Sequence, residues 1–254
     1  MDINIELKNV SLDFPLRDIH SYSLKKKLFE ISTLNKINFS KSKKYYRALN
    51  NINLKIKKGD KFGILGKNGS GKSTLLRVLS KIYCPQNGNV NIYGKILPVI
   101  DSSYAIDSFL TGIDNIRISA LIRGLNNNDI FKLIDKVNEI SELGQFLYMP
   151  VHTYSSGMMM RLNFALTLML EPEILILDEW LSTADKFFQE KANNLMNNFV
   201  KKSQILVLAT HDLNLIKSIC NKAIVLEEGK IIFEGSSEKA IEQYNLKLNN
   251  AKKI

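Results

Sequence analysis

Apolar and polar residues alternate over Ile3-Asn4-Ile5-Glu6-Leu7-Lys8-Asn9-Val10, the period of a strand with one wet face. The same pattern returns from Leu49 to Ile56, through Leu49, Ile52, Leu54 and Ile56. Lys57-Lys58-Gly59-Asp60 then turns the chain into a short apolar run, Phe62 to Leu65, and a helix-like run follows from Leu75 to Leu79. Gly88 to Lys95 reads as a short strand between turns, and Ile96 to Ile100 as a further, buried strand. From Ile113 to about Leu170 the apolar period becomes helical, with turn signals at Gly124-Leu125-Asn126 and at Pro150, and Pro172 closes this lobe. Ile174-Leu175-Ile176-Leu177 and Ile205-Leu206-Val207-Leu208-Ala209 are short and wholly apolar, as strands buried on both faces of a parallel sheet are. Ala223 to Leu226 and Ile231 to Phe233 form a hairpin around Glu228-Gly229. The order predicts an α/β, doubly wound core carrying an extra helical lobe.

Between the first two strands lies Leu16 to Arg47, basic and poor in glycine, with Leu24, Leu28, Phe29 and Ile31 at the spacing of a short amphipathic helix. It reads as an insertion. The 254 residues are 45% hydrophobic, enough for a buried core. Cys84 and Cys220 are widely separated and are expected as small core residues in a reducing compartment. No stretch reaches the roughly 18 apolar residues of a spanning helix, and Met1-Asp2-Ile3-Asn4 lacks the basic start of a signal peptide. The expectation is a soluble, cytoplasmic chain. The formal charge of +10 is concentrated before residue 60, in Lys25-Lys26-Lys27, Lys36, Lys41, Lys43, Lys44, Arg47, Lys55, Lys57 and Lys58. A solvated face and a surface for anionic lipid head groups both fit this run. No aromatic-interleaved pattern supports RNA binding.

Gly66-Lys67-Asn68-Gly69-Ser70-Gly71-Lys72-Ser73-Thr74 sits between a predicted strand and a predicted helix. Glycines there let successive N–H groups face phosphate oxygens, and the helix adds its positive end. In this pattern Lys72 reaches the β/γ-phosphates and the Ser73 hydroxyl ligates Mg²⁺. Asp178-Glu179 ends the strand Ile174 to Leu177, at the carboxyl edge where open α/β sheets bind ligands. There Asp178 can hold Mg²⁺ through water and Glu179 can polarise the attacking water. His211, after the next apolar strand and Thr210, opens onto the same edge and can reach the γ-phosphate. Tyr154-Ser155-Ser156-Gly157-Met158 offers hydroxyls and a glycine at the start of an apolar helix, Met159 to Leu170.

Together these motifs resemble the ATP-binding cassette (ABC) ATPases, the nucleotide-binding subunits of ABC transporters, over nearly the whole chain. The resemblance implies a P-loop NTPase with a RecA-like core, an antiparallel β subdomain and an inserted α-helical subdomain at about 101–171, with 172–254 returning to the core. It makes Gly66 to Thr74 the Walker A motif, Tyr154 to Met158 the signature (with Ser155, Ser156 and Gly157 touching nucleotide), Asp178-Glu179 the end of Walker B, Ser182 to Asp185 the D-loop and His211 the switch histidine. It further implies ATP and Mg²⁺, a head-to-tail homodimer with two shared ATP sites, and two copies of a membrane permease subunit. Phe14 matches the aromatic position that stacks on adenine. Where most members carry a glutamine before the helical lobe, Asp101-Ser102-Ser103 stands here, which makes Asp101 the candidate for that Mg²⁺-contacting position. The signature reads Tyr-Ser-Ser-Gly-Met in place of the commoner Leu-Ser-Gly-Gly-Gln. Leu110-Thr111-Gly112-Ile113-Asp114-Asn115-Ile116, Arg161-Leu162, Trp180-Leu181-Ser182 and Phe188-Gln189 are similar to the subunits of polysaccharide exporters of the O-antigen, capsule or teichoic acid type. That branch implies export of a lipid-linked polysaccharide from the inner face of a bacterial plasma membrane, with the cargo contacted mainly by the permease. The chain ends about 40 residues past His211, so no carbohydrate-binding domain is expected after the ATPase.

Overall fold

The computed structural model describes residues 3–15, 45–100, 106–170, 172–178 and 186–251. Among them, β1 (Asn4–Pro15) pairs antiparallel with β2 (Tyr45–Lys57) on one side and β4 (Asn87–Tyr93) on the other, making a three-stranded sheet. A six-stranded sheet holds β3 (Lys61–Leu65), β5 (Ile96–Val99), β6 (Ile174–Asp178), β7 (Ile205–Ala209), β8 (Lys222–Glu227) and β9 (Lys230–Ser236), in the order β5-β6-β7-β3-β8-β9. All its pairings are parallel except the β8–β9 hairpin.

Helix α1 (Lys72–Leu79) follows β3. The helical lobe between β5 and β6 consists of α2 (Gly112–Ile122), α3 (Asn127–Ser141) and α4 (Ser156–Leu168). Two 3₁₀ turns, Gly144–Tyr148 and Val151–Thr153, join α3 to α4. Helices α5 (Lys186–Lys202), α6 (Leu213–Ile219) and α7 (Ser237–Ala251) follow β6, β7 and β9. The helix starts are written locally: Asn126 accepts from the Asp129 N–H at 3.0 Å, and Asp212 from the N–H groups of Asn214 and Leu215.

The uninterrupted apolar runs of β6 and β7 have a direct cause. Residues of the six-stranded sheet alternate between two cores: Leu175, Leu177, Leu206 and Leu208 join the helical side, and Ile174, Ile176, Ile205 and Val207 join the side holding α1 and the antiparallel sheet. Both faces are dry, so both sets are apolar. Each fully buried side chain of this kind contributes about 1.5–3 kcal/mol.

Three expectations need correction. Tyr45, Tyr46 and Arg47 belong to β2, opposite Pro15, Phe14 and Asp13, so the insertion is shorter at that end than its basic composition implied. Ile96 to Val99 is a half-buried strand at the edge of its sheet, because among the described residues only β6 pairs with it. Cys84 is exposed; only Cys220 is buried. The cluster Lys25 to Lys27, the rest of the insertion up to residue 44, Asp101, Glu179 and Ser182 to Asp185 lie outside the described residues.

Candidate active site

Strands β6, β7 and β3 are neighbours and parallel, so their carboxyl ends share one edge. Asp178 is the register partner of Ala209, and Ala209 of Ile64. Asp178, the Thr210-His211 step and the loop leaving Leu65 therefore emerge side by side, with Asp178 about 10 Å from β3 at the usual strand spacing. His211 is exposed and Asp178 half-buried. Ser73 stands one residue into α1.

The loop from Gly66 to Gly71 is bent tightly around absent side chains. A Cβ on Gly66 would lie 2.5 Å from the Leu226 carbonyl and 2.4 Å from Ser70 Oγ. Gly71 precedes α1 with φ +106°, where a Cβ would meet the Ala48 carbonyl at 2.8 Å. No side chain caps the N–H groups at the start of α1, so they face outward as donors. Lys72, only 8% exposed, donates to the Gly66 carbonyl at 2.7 Å and the Lys67 carbonyl at 3.1 Å. Ser70 Oγ is buried with no hydrogen-bond partner. Glycine-lined curvature, uncapped donors and an ammonium drawn into the loop fit a polyphosphate. A divalent cation would fit the oxygen donors Ser73 and Asp178.

Phe14, at the end of β1, meets Tyr83 edge-on, with ring centroids 5.6 Å apart. Arg77 of α1 lies over the other ring of that pair, 5.8 Å from the Tyr83 centroid. The strand end is pinned from both sides. Arg47 grips the Asp13 carboxylate with two bonds of 2.8 and 3.0 Å, and the Gln86 amide bonds both the N–H and the carbonyl of Asp13. The Arg47 hydrogen bonds hold the Asp13 carboxyl below its ordinary range. Sequence reasoning singled out Phe14 and missed Asp13, Gln86 and Tyr83, whose contacts exist only once β1, β2 and β4 assemble.

Ser155 is the N-cap of α4 and accepts from the Met158 N–H at 3.2 Å, so the helix begins at Ser156, earlier than the apolar run implied. Gly157 lies in the first turn with no heavy atom closer than 3.9 Å to a Cβ placed there. What holds this turn in place is the segment before α2. Thr111 caps α2 by accepting from the Asp114 N–H, and Thr111 pairs with Pro150 in an isolated bridge. Val151 and His152 donate to the carbonyls of Leu110 and Ser108 at 2.9 and 2.7 Å. Asn115, 3% exposed, accepts from the Asp107 N–H and donates to the carbonyls of Asp107 and Thr111. Asn115, through Thr111 and its bridge to Pro150, thus braces the chain that leads into the Tyr154–Met158 segment, a role its sequence does not display. Arg161 lies over the Phe188 ring at 4.6 Å, and Phe164 meets Phe188 edge-on at 5.7 Å, so those residues join α4 to the first turn of α5.

Residues 49–182 match the ABC transporter family. The chain is 40% identical over 232 residues to the O-antigen export system ATP-binding protein RfbE of Yersinia enterocolitica, covering 91% of this chain and 97% of that one. The chain belongs to the ABC transporter family. Its ABC cassette is also 37% identical over 206 residues to the teichoic acids export ATP-binding protein TagH of Bacillus anthracis, covering 81% of the chain but only 37% of that longer protein. Both of these relatives are thus named as ATP-binding proteins of export systems, one for O-antigen and one for teichoic acids. Among solved structures, the ATP-binding cassette MJ0796 bound to ADP and Pi superimposes with a TM-score of 0.70 at 22% identity, over 92% of this chain and 98% of that one. This likeness establishes the cassette fold, a P-loop core with an inserted helical lobe. Among the described residues no helix is long and apolar enough to cross a membrane.

Proposed function

We propose that this ABC ATPase powers export of a lipid-linked polysaccharide through a separate membrane permease, working as a head-to-tail homodimer at the cytoplasmic face of a bacterial plasma membrane. The observation that carries this reading is the 40% identity to an O-antigen export ATP-binding protein across almost the full length of both chains. The convergence of the phosphate loop, Asp178 and His211 on one sheet edge supports the chemistry.

Backbone N–H groups of Asn68 to Thr74 bind the phosphate oxygens of ATP, and Lys72 turns from the Gly66 and Lys67 carbonyls to the β- and γ-phosphates. Phe14 stacks on the adenine. Ser73 and Asp178, with Asp101 as the further candidate ligand, would hold Mg²⁺, which would supply charge neutralisation on the phosphates. Glu179 accepts the proton of the water aligned opposite the leaving oxygen, and His211 hydrogen-bonds the γ-phosphate side of that water. Ser155, Ser156 and Gly157 of one subunit contact the nucleotide held by the other, with Asp185 between the two sites. Coupling to the permease runs through the helical lobe.

Deleting the gene in its bacterial host and assaying surface polysaccharide tests this. Surface glycan should disappear and lipid-linked polymer accumulate inside, with rescue by the wild-type gene and none by Lys72→Ala. Normal surface glycan in the deletion strain would move the cargo to a drug, peptide or simple lipid and leave the ATPase standing.

A further inference from the structure

The hairpin turn Glu228-Gly229 lies far from the sequence motifs, yet it touches the phosphate loop. The Gly229 N–H donates to the Ser70 carbonyl at 2.9 Å, and the Gly229 carbonyl accepts from the Asn50 N–H at 2.8 Å. One residue therefore ties the middle of the loop to β2. The fit leaves no slack. A Cβ on Gly229 would lie 2.5 Å from the Ala48 carbonyl oxygen, and φ is +73° there and +46° at Glu228. The preceding strand closes the other side, since the Leu226 carbonyl and side chain are what Gly66 and Gly71 approach.

The turn is held in turn by the C-terminal helix. Lys247 of α7 forms an ion pair with Glu227, the residue before the turn, and half-buried Tyr244 packs onto the helical-side core. A cavity of about 260 Å³ separates Lys67 to Ser70 from Tyr244, Lys247 and Leu248. Across that gap the helix therefore reaches the loop through the hairpin.

We infer that the Glu227–Gly229 turn is a positioning element for the phosphate loop, and that α7 sets it through Lys247. Gly229 fixes the Ser70 carbonyl and with it the direction of the neighbouring loop N–H groups. Movement of α7 shifts the turn and changes nucleotide affinity without touching the hydrolytic residues. This makes the C-terminal helix a control point for ATP binding, and it rests on the ATPase reading.

The test measures ATPase kinetics and affinity for a non-hydrolysable ATP analogue on the full chain. Wild-type turnover that vanishes in Lys72→Ala establishes the ATPase reading independently. Lys247→Glu then sets two carboxylates against each other in place of an exposed pair whose loss costs little folding stability. It should raise KM and the analogue Kd roughly 3- to 10-fold with kcat within about twofold and the melting temperature unchanged, while Lys247→Arg restores wild-type values. Gly229→Ala should raise KM more than tenfold; where that variant does not fold, Lys247→Glu decides alone. Folded variants with wild-type KM and analogue Kd would overturn the inference, as would a loss confined to kcat.

Discussion

The phenol of Tyr154 occupies the space a side chain on Gly112 would need: a Cβ there would stand 2.6 Å from the Tyr154 hydroxyl oxygen. That hydroxyl donates to the Phe146 carbonyl at 2.6 Å, and burial pushes the phenol above its ordinary range, opposed by its hydrogen bond with the Gly112 backbone. The first residue of the signature is therefore a structural pin between the start of α2 and the 3₁₀ turn Gly144–Tyr148. Tyr154→Phe should cost about 1 kcal/mol in chemical denaturation and Gly112→Ala about 1–3 kcal/mol. The double variant should be less unstable than the sum, because removing the hydroxyl relieves the closest clash; strict additivity would contradict the contact.

Lys61 enters the sheet beneath α5 and donates three hydrogen bonds, to the carbonyls of Val200 and Ser203 at 2.7 and 2.6 Å and to Ser203 Oγ at 3.0 Å. It closes a helix C-terminus with a positive charge, where the helix dipole favours one. Lys61→Met should lower unfolding free energy by about 1–3 kcal/mol in urea titrations, since the Ser203 carbonyl loses the ammonium and the Val200 carbonyl keeps only Ser203 Oγ. Arginine should not substitute, because the guanidinium fork is larger than the space an ammonium fills.

Burial pushes the Cys220 thiol up to about 12, with nearby Lys61 opposing the rise. An unfolded thiol titrates near 8.5, so the folded chain holds this proton more tightly. The stabilisation is complete below pH 8.5 and is lost as pH rises through 12. From pH 8 to pH 10 the chain should lose about 1–2 kcal/mol from this group alone. Comparing denaturation midpoints of wild type and Cys220→Ala across that range isolates it: the difference between the two should shrink as pH rises.

Glu179→Gln should abolish steady-state hydrolysis yet accumulate an ATP-bound dimer on size exclusion, because binding by Lys72 and the loop N–H groups is untouched. A monomeric, active variant would sink the base assignment. Lys72→Ala should lose ATP binding itself, detected by equilibrium dialysis, with little change in melting temperature.

The strands and the phosphate loop were legible in the chain because each is a local statement. Ile174 to Leu177 and Ile205 to Ala209 can only be dry on both faces, and Gly66 to Thr74 carries its own geometry. Residues whose role is a distant contact were opaque. Asn115 is one polar residue on a helix until the Asp107 and Thr111 backbones surround it. Gly229 reads as an ordinary hairpin turn until Ser70 and Ala48 close on it. Cys84 misled because small apolar composition says nothing of position: it lies just beyond the end of α1, where the chain runs over the surface toward β4.

The two faces of the six-stranded sheet also differ in branching: leucines at 175, 177, 206 and 208 point to the helical side, and Ile174, Ile176, Ile205 and Val207 to the side of α1 and the antiparallel sheet. Odd and even positions of one strand thus answer to different packing partners. A substitution in the leucine row repacks the helices on that face, and leaves the β-branched row that faces α1 and the antiparallel sheet as it was.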